Sequence, residues 1–456
     1  MKKYDVAVIG SGPGGYAAAT AASQLEAKTV IIERDEIGGV CLNWGCIPTK
    51  ALIASAKIYN FLQRANEFGI QAKVSPPNIS KIYARKNSIV SNLRNGMNAQ
   101  LKRLNIDFIK GEAFLKTENI IEIKEGNDKF EIDAGKIIIA TGSYPRGLKE
   151  LPFNGRNILD SKSILDLTKL PRSLLIVGGG AIGCEFANIF NFLNVEVTIV
   201  ELENQLLPLE DKELGRRLAS IFKKRGIDVL TGEGIVESYE KNESVKVKTN
   251  KDKVIEIDKV LVAVGRVRNI DGLGLDELRI KLKDDNLLLI NKYLETTVQD
   301  IYAVGDVLSS PQLAHVAAHE GMIAAYNSTR ENKHVMDYNV VPNCIFTVPE
   351  IATVGFSKDE ALQEKIDADQ SKYLYSALGK PHCDGTSEGF VKIVYETRSK
   401  EILGAQIMGE GASDLISEIS LAIKKKLTLD DVASTIHPHP TFSEVIQEAA
   451  LVAIRE

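Results

Sequence analysis

Residues 4–9, YDVAVI, are apolar at all but one position, the pattern of a strand covered on both faces. A glycine-rich turn follows, with Gly10, Gly12, Pro13, Gly14 and Gly15 in GSGPGG. Then comes YAAATAASQL, alanine-rich and helical in character, and a second apolar run, TVIIE, that ends at Glu33. Strand, turn, helix and strand in this order form a dinucleotide fingerprint. The glycines permit a tight turn and close backbone approach to a pyrophosphate, and the helix N-terminus offers N–H groups to it. The pattern recurs. SLLIVGGGAIG gives a strand and then Gly178, Gly180, Ala181, Ile182 and Gly183, and VEVTIVE ends at Glu201. Both acids stand 23 residues after their first glycine (33 − 10 and 201 − 178). One such glycine pattern is weak evidence; two with the same spacing to an acid are strong.

Two nucleotide folds predict two nucleotides. Each acid is placed to bind a ribose hydroxyl. At the second fold Glu201 favours a free 2′-hydroxyl over a 2′-phosphate, and Leu202 supplies no basic partner for one, so NAD is expected there rather than NADP. KIIIATGS predicts a strand ending at Thr141, Gly142 and Ser143, and KVLVAVGR echoes it at Gly265 and Arg266. DIYAVGDV places Asp306 after another strand, where a carboxylate can accept hydrogen bonds from the polyol linker of a flavin. Each strand end is open to the plainer reading of a turn.

The expected fold class is α/β: two Rossmann-like dinucleotide-binding domains followed by a C-terminal α+β domain. The expected boundaries are 1–145 for the first part of one nucleotide domain, 146–266 for the second nucleotide domain, 267–335 for the return to the first, and 336–456 for the last. NVVPNCIFTVPEIATVGF and GFVKIVYE predict strands in that last domain.

Composition narrows the chemistry. At about 150 residues per domain, 456 residues suit three. A net charge of −5 offers no surface for nucleic acid. No apolar run reaches the roughly 18 residues of a membrane span. The N-terminal MKKYDVAVIG leads into a glycine turn and not a cleavage site, so a cytoplasmic protein is expected. The five cysteines are odd in number and only Cys41 and Cys46 are close, which is not a secreted disulfide framework. That pair brackets Trp44, the chain's only tryptophan. Metal ligation would need two further ligands at suitable spacing, and the other cysteines are scattered, so no metal is expected. Core packing or redox chemistry remains. Pro48 suits the first turn of a helix, which would put Cys46 near a helix N-terminus where a thiolate is stabilised.

GGVCLNWGCIPTK (38–50) resembles the GGxCxxxGCxPxK segment of the flavoprotein disulfide reductases, the class I pyridine nucleotide–disulfide oxidoreductases. The resemblance extends over essentially the whole chain. QLAH (Gln312, Leu313, Ala314, His315), VPEIATVG (348–355), Glu201 and HPHPTFSE (437–444) resemble the branch that reoxidises protein-bound dihydrolipoamide. The resemblance implies FAD on the first fold and NAD on the second. It implies that Cys41 and Cys46 form a redox disulfide passing electrons from the dithiol through FAD to NAD. It makes His439 the base, with Glu444 its partner; histidine suits the task because its pKa lies near neutrality. It places Lys50 beside the flavin, paired with Glu185, the backbone of Ala113 at the FAD adenine, and Ile235 on the NAD adenine. It implies a cis His439–Pro440 bond. It also implies a homodimer whose active site is shared between subunits, and a partner in the lipoyl domain of a 2-oxoacid dehydrogenase complex or glycine cleavage system. The alternative within the family is a reductase of glutathione disulfide or another small disulfide. Two features depart from the pattern or stay outside it: Arg268, where the family usually has proline, and GKPHCDG around His382 and Cys383.

Overall fold

The N-terminal apolar run becomes an inner strand of the first sheet in the computed structural model, which describes all residues except 242–243, 309–310 and 456. β1 (Lys2–Ile9) leads through the glycine turn into α1 (Pro13–Gln24) and back to β2 (Thr29–Glu33). Pro13 is the first residue of α1, where its missing N–H costs nothing. β1 and β2 pair in parallel, Val6 against Thr29 and Ile9 against Ile32, and all of β2 is buried. Helices α2 (Gly39–Trp44), α3 (Cys46–Gln63) and α4 (Ile79–Arg103) precede β3 (Asp107–Lys110), β4 (Glu112–Leu115), β5 (Ile120–Glu125) and β6 (Asp128–Ile139). The sheet runs β3-β2-β1-β6-β5-β4, parallel as far as β6 and antiparallel beyond. Strand Ile301–Ala303 returns from far along the chain to pair in parallel with the end of β6.

β7 (Ser143–Pro145) and β8 (Ile158–Leu159) lead to the second fold: β9 (Ser173–Val177), α5 (Ala181–Phe192), β10 (Glu196–Glu201), α6 (Lys212–Lys224) and β11 (Asp228–Thr231). An antiparallel meander follows, β12 (Ile235–Lys241), β13 (Ser244–Thr249) and β14 (Val254–Ile257), before β15 (Lys259–Val262) and β16 (Arg266–Arg268). The second sheet is wholly parallel in the order β11-β10-β9-β15-β8. β16 pairs antiparallel with β7, so the chain leaves the first fold and rejoins it at one place.

Helix α7 (Ala314–Thr329) then packs on α1, and small residues set how close they come. A Cβ on Gly321 would lie 2.1 Å from the carbonyl oxygen of Gly14. The last unit is a five-stranded antiparallel sheet of Asn343–Ile345, Glu350–Gly355, Ile402–Gly409, Phe390–Glu396 and Ala368–Leu374, in that spatial order. Helices Ala412–Lys424 and Glu444–Arg455 bury Ile416, Ile419, Val445 and Ile446 in its core. This is the α/β class read from the sequence. One apolar cluster runs from Leu52 and Ile53 of α3 through Phe186 and Phe190 of α5 to Ile345 and Phe390 of the last sheet. Helix α3 therefore lies where the three units meet. Among the described residues no helix is long and apolar enough to cross a membrane.

Candidate active site

The two glycine turns are built alike. Gly10 and Gly178 have φ of +100° and +108°, and a Cβ on either would lie 2.3 Å from a carbonyl oxygen, of Ala140 or Ala263. A Cβ on Gly15 or Gly183 would lie 1.9 Å from the carbonyl oxygen of Gly10 or Gly178. The protein's own backbone demands these four glycines. Gly12 and Gly180 are different: a Cβ there meets nothing within 4 Å. They cap α1 and α5, so the space each leaves clear lies at a helix N-terminus, where a pyrophosphate fits. Each strand-end acid closes on its own turn. Glu33 accepts from Ser11 N (2.9 Å), Ser11 Oγ (2.7 Å) and Asp35 N (2.8 Å). Glu201 accepts from Gly179 N and from Glu203 N (2.8 Å), and Leu202 beside it is exposed.

Around the first turn the expected residues gather. Asp306 accepts a hydrogen bond from Ser143, and Asn269 donates to the carbonyl oxygens of Thr141 (3.0 Å) and Gly142 (2.9 Å). Thr141 Oγ1 is buried with no partner, which fits a site made for a polar ligand. Arg266 donates to Ser143 Oγ (2.6 Å) and Ser143 O (2.7 Å) and lies 3.7 Å from Asp306. Its neighbour Gly265 has φ +113°, and the sequence marked both at the end of KVLVAVGR without a role for the arginine. Ala113 is buried in β4 opposite Ile123, and Ile235 opens β12 half-buried. Gln312 is exposed, Leu313 caps α7, Ala314 begins it, and His315 Nε2 meets the carbonyl oxygen of Pro342 at 2.8 Å. Arg268 lies in β16 opposite Ser143 with a buried Nε that lacks a partner.

The cysteines belong to different helices. Cys41 is in α2 and Cys46 is the first residue of α3. Between them Gly45 breaks the helix with φ −140° and ψ −109°, and a Cβ on it would lie 3.0 Å from Val40 O. The six-residue α2 was not foreseen; its glycine-bounded turn has too few residues to show a helical period. Both thiols are free. The Cys41 thiol hydrogen-bonds to Cys46 and holds it down at about 7, against an ordinary 9.0, and the charge of Lys50 adds to this. The same bond, with burial, pushes Cys41 well up. One proton is thus shared unequally, leaving Cys46 as the thiolate. Lys50, one turn further along α3, donates to both oxygens of Glu185 at 2.9 Å. Glu185 is buried in α5 and also accepts from Phe346 N at 3.0 Å. Lys50 Nζ stands 4.4 Å above the Phe346 ring.

His439 and Glu444 form a second group. His439 Nδ1 meets Glu444 Oε1 at 2.7 Å, and Thr441 N donates to Oε2 at 3.3 Å. The His439–Pro440 bond is cis, as expected, and so is Val348–Pro349. The preceding His437 is fixed by Glu418 (3.0 Å) and by the carbonyl oxygen of Thr435 (2.9 Å). His439 itself is exposed. Among the described residues no hydrogen bond or ion pair joins this group to the cysteines within one chain. His382 meets Ser376 O at 2.7 Å and Cys383 is exposed; neither touches the groups above.

Two dinucleotide folds meeting at a helix that carries a polarised thiol pair define an oxidoreductase that works between thiols and nucleotides. The comparisons give its lineage. Residues 4–321 match the pyridine nucleotide-disulphide oxidoreductase family, residues 341–450 match the dimerisation domain of that family, and the chain belongs to it. It is 42% identical over 452 residues to dihydrolipoyl dehydrogenase of Chlamydia pneumoniae, covering 99% of this chain and 97% of that one. It is 38% identical to dihydrolipoyl dehydrogenase of Bacillus subtilis, covering 99% and 98%. Its structure resembles LpdA of Mycobacterium tuberculosis with a TM-score of 0.92 at 29% identity, covering 99% of both chains. It also resembles the HOCl-induced flavoprotein disulfide reductase RclA of Escherichia coli, with a TM-score of 0.90 at 25% identity, covering 99% and 100%.

Proposed function

We propose that this chain is an NAD-dependent dihydrolipoyl dehydrogenase that oxidises the dihydrolipoamide of a lipoyl domain. The observation that carries the reading is the placement of the Cys41–Cys46 pair at the junction of two nucleotide folds, with Cys46 opening α3 and Lys50, one turn on, held by Glu185. Full-length likeness to dihydrolipoyl dehydrogenases supports the substrate. FAD would be held by Gly10, Gly12, Pro13, Gly14, Gly15, Glu33, Lys50, Ala113, Thr141, Gly142, Ser143, Asp306 and residues 312–315. NAD would be held by Gly178, Gly180, Ala181, Ile182, Gly183, Glu185, Glu201, Ile235 and Gly265. The clear approach to Gly12 and Gly180 and the orphan Thr141 hydroxyl support both assignments. FAD bound on the first fold would supply the chemistry of taking up two electrons and passing them on as hydride to NAD.

The residues of the chain handle protons and sulfur. In the oxidised enzyme Cys41 and Cys46 are joined. His439, from the second copy of a homodimer, takes a proton from one substrate thiol, and Glu444 stabilises the imidazolium. The substrate thiolate attacks Cys41 Sγ, the Cys41–Cys46 bond breaks, and Cys46 leaves as a thiolate. The second substrate thiol, its proton passing to the departing Cys41 sulfur, attacks the substrate sulfur of the mixed disulfide, forms the cyclic disulfide and releases Cys41 as the thiol. Lys50 and the start of α3 hold the negative charge on Cys46. The exposure of His439 in one chain, and the match to a dimerisation domain, support a site completed by a partner. The domain division 1–145, 146–266, 267–335 and 336–456 belongs to the same proposal, as does a 2-oxoacid dehydrogenase complex or glycine cleavage system as the source of the lipoyl domain.

The test is NAD reduction by purified enzyme with dihydrolipoamide, beside NADPH oxidation with glutathione disulfide. Turnover in the first assay alone supports the reading. Turnover in the second alone replaces the substrate and overturns the role given to Glu201.

A further inference from the structure

Glu233 has no part in the site described so far. It follows β11 in the segment TGEGI (231–235), and it is only 9% exposed. Its Oε1 lies 3.8 Å from Lys251 Nζ, beyond hydrogen-bonding distance. Its Oε2 is buried and has no hydrogen-bond partner. A buried carboxylate oxygen without a donor is costly, and such a group calls for an explanation. Looseness does not supply one, because the backbone on either side is fixed. Gly232 N donates to Glu203 O at 2.8 Å, and Glu233 N donates to Glu201 O at 3.0 Å. Gly234 N donates to Asn250 Oδ1 at 3.2 Å, and Asn250 N returns a bond to Gly234 O at 2.9 Å.

The place of Glu233 in the sheet says which donor is missing. Along the order β11-β10-β9, the glycine turn follows β9, Glu201 ends β10, and Glu233 follows β11. A dinucleotide with its pyrophosphate on the turn and its ribose at Glu201 carries its base one strand further out, to the end of β11. The edge of adenine offers one strong donor, the exocyclic amino group. The flanking glycines let Asn204 and Leu202 pack close beside Glu233: a Cβ on Gly232 would lie 3.0 Å from Asn204 Oδ1, and one on Gly234 would lie 3.1 Å from Leu202 Cδ1.

We propose that Glu233 accepts a hydrogen bond from the exocyclic amino group of the adenine of NAD, making it a specificity-determining residue of the second nucleotide fold. This rests on the reading that the second fold binds NAD. The nicotinamide end is the same in the hypoxanthine analogue of NAD, but a carbonyl oxygen replaces the amino group. Against it the Glu233 carboxylate would face an acceptor and lose its bond.

Isothermal titration of NAD and of the hypoxanthine analogue into the oxidised holoenzyme tests this without turnover. Wild type should prefer NAD by about tenfold, the scale of one hydrogen bond to a charged group. In E233A the preference should fall to about twofold or less. In E233Q, an isosteric change whose amide can turn its NH2 toward a carbonyl oxygen, it should fall in the same direction. A wild-type preference ratio kept in both variants overturns the proposal and leaves Glu233 a structural acid. Failure of both dinucleotides to bind wild type overturns the NAD reading itself, a distinct result.

Discussion

Replacing Glu444 by glutamine isolates the charge in the His439–Glu444 pair. Glutamine keeps the length of the side chain and an oxygen for His439 Nδ1, now met at 2.7 Å, while its NH2 replaces the oxygen that accepts the long 3.3 Å bond from Thr441 N. What it removes is the negative charge beside the imidazolium that forms when His439 takes a thiol proton. Hydrogen bonds to charged groups contribute about 1.5–3 kcal/mol and neutral ones about 0.5–1.5 kcal/mol, so the difference is about 1 kcal/mol or somewhat more. The side chain of Glu444 is 14% exposed, and that of His439 is 79% exposed in one chain, where the proposed partner would cover it, so about 1 kcal/mol is the smallest loss expected. About 1 kcal/mol is about a fivefold fall in kcat. E444A also removes the bond itself and should cost about 30-fold, whereas H439Q removes the base and should cost about 10²–10⁴-fold. The assay is NAD reduction at saturating dihydrolipoamide, run beside NADH oxidation by an artificial dye acceptor that needs no thiol proton transfer. All three variants should keep the dye reaction. An E444Q enzyme as fast as wild type, or one that loses both reactions equally, refutes the reasoning.

Gly12→Ala and Gly180→Ala should fold with unchanged melting temperature as apoprotein, because the added methyl meets no protein atom. The first should lose flavin on purification and the second should bind NAD at least tenfold more weakly by titration; normal retention of both ligands refutes the placement. Gly15→Ala, whose methyl would lie 1.9 Å from Gly10 O, should instead fail to fold, as read by soluble yield. In dithiol-reduced enzyme, alkylation of Cys46 by iodoacetamide should rise with pH about a midpoint near 7, because the thiolate predominates above its lowered pKa; a midpoint near the ordinary 9.0 contradicts the proton sharing. Lys392 is nearly fully buried between Asp211 (3.0 Å) and Glu213 (3.1 Å). K392M leaves those carboxylates with too little positive charge and should destabilise by about 3 kcal/mol, seen as a melting temperature several degrees lower. An unchanged melting temperature argues that the cluster contributes nothing.

What the sequence showed and what it hid divide along physical lines. Glycine turns are local: φ, a close backbone approach and the following helix are fixed within a few residues, so both nucleotide folds could be read directly. The thiol pair and its polarity were legible, because Pro48 marks a helix start beside Cys46, but the break at Gly45 that puts one sulfur in each of two helices was not. Lys50–Glu185 joins residues 135 apart and could be reached only through the family resemblance. Glu233 was missed because it owes its interest to burial at a strand end, and nothing in the residue type says that a glutamate at that point is covered.

Helix α3 shows why the arrangement needs all three units. Lys50, Lys57 and Arg64 follow one another at intervals of seven residues, and seven residues turn an α-helix by almost two full turns. The three therefore project from nearly one face. Lys50 is held by Glu185 of the second nucleotide fold. Lys57 lies 3.1 Å from Glu410 and 3.8 Å from Glu350 of the last unit, and Arg64 reaches the carbonyl oxygen of Gly385 at 3.4 Å. Apolar residues Leu52 and Ile53 fix the same helix to the shared core. Cys46 begins this helix, so the position of its sulfur is set from several sides over four turns and not by its own loop alone. That matters for exchange chemistry, where a misplacement of about 1 Å can cost about 100-fold in rate. These half-buried ion pairs contribute modestly to stability one at a time, and their worth here is angular: they stop a long helix from swinging about its N-terminus. K57M should therefore leave the melting temperature nearly unchanged while slowing the thiol half-reaction more than the dye reaction, and equal slowing of both would mean that α3 is held by its apolar face alone.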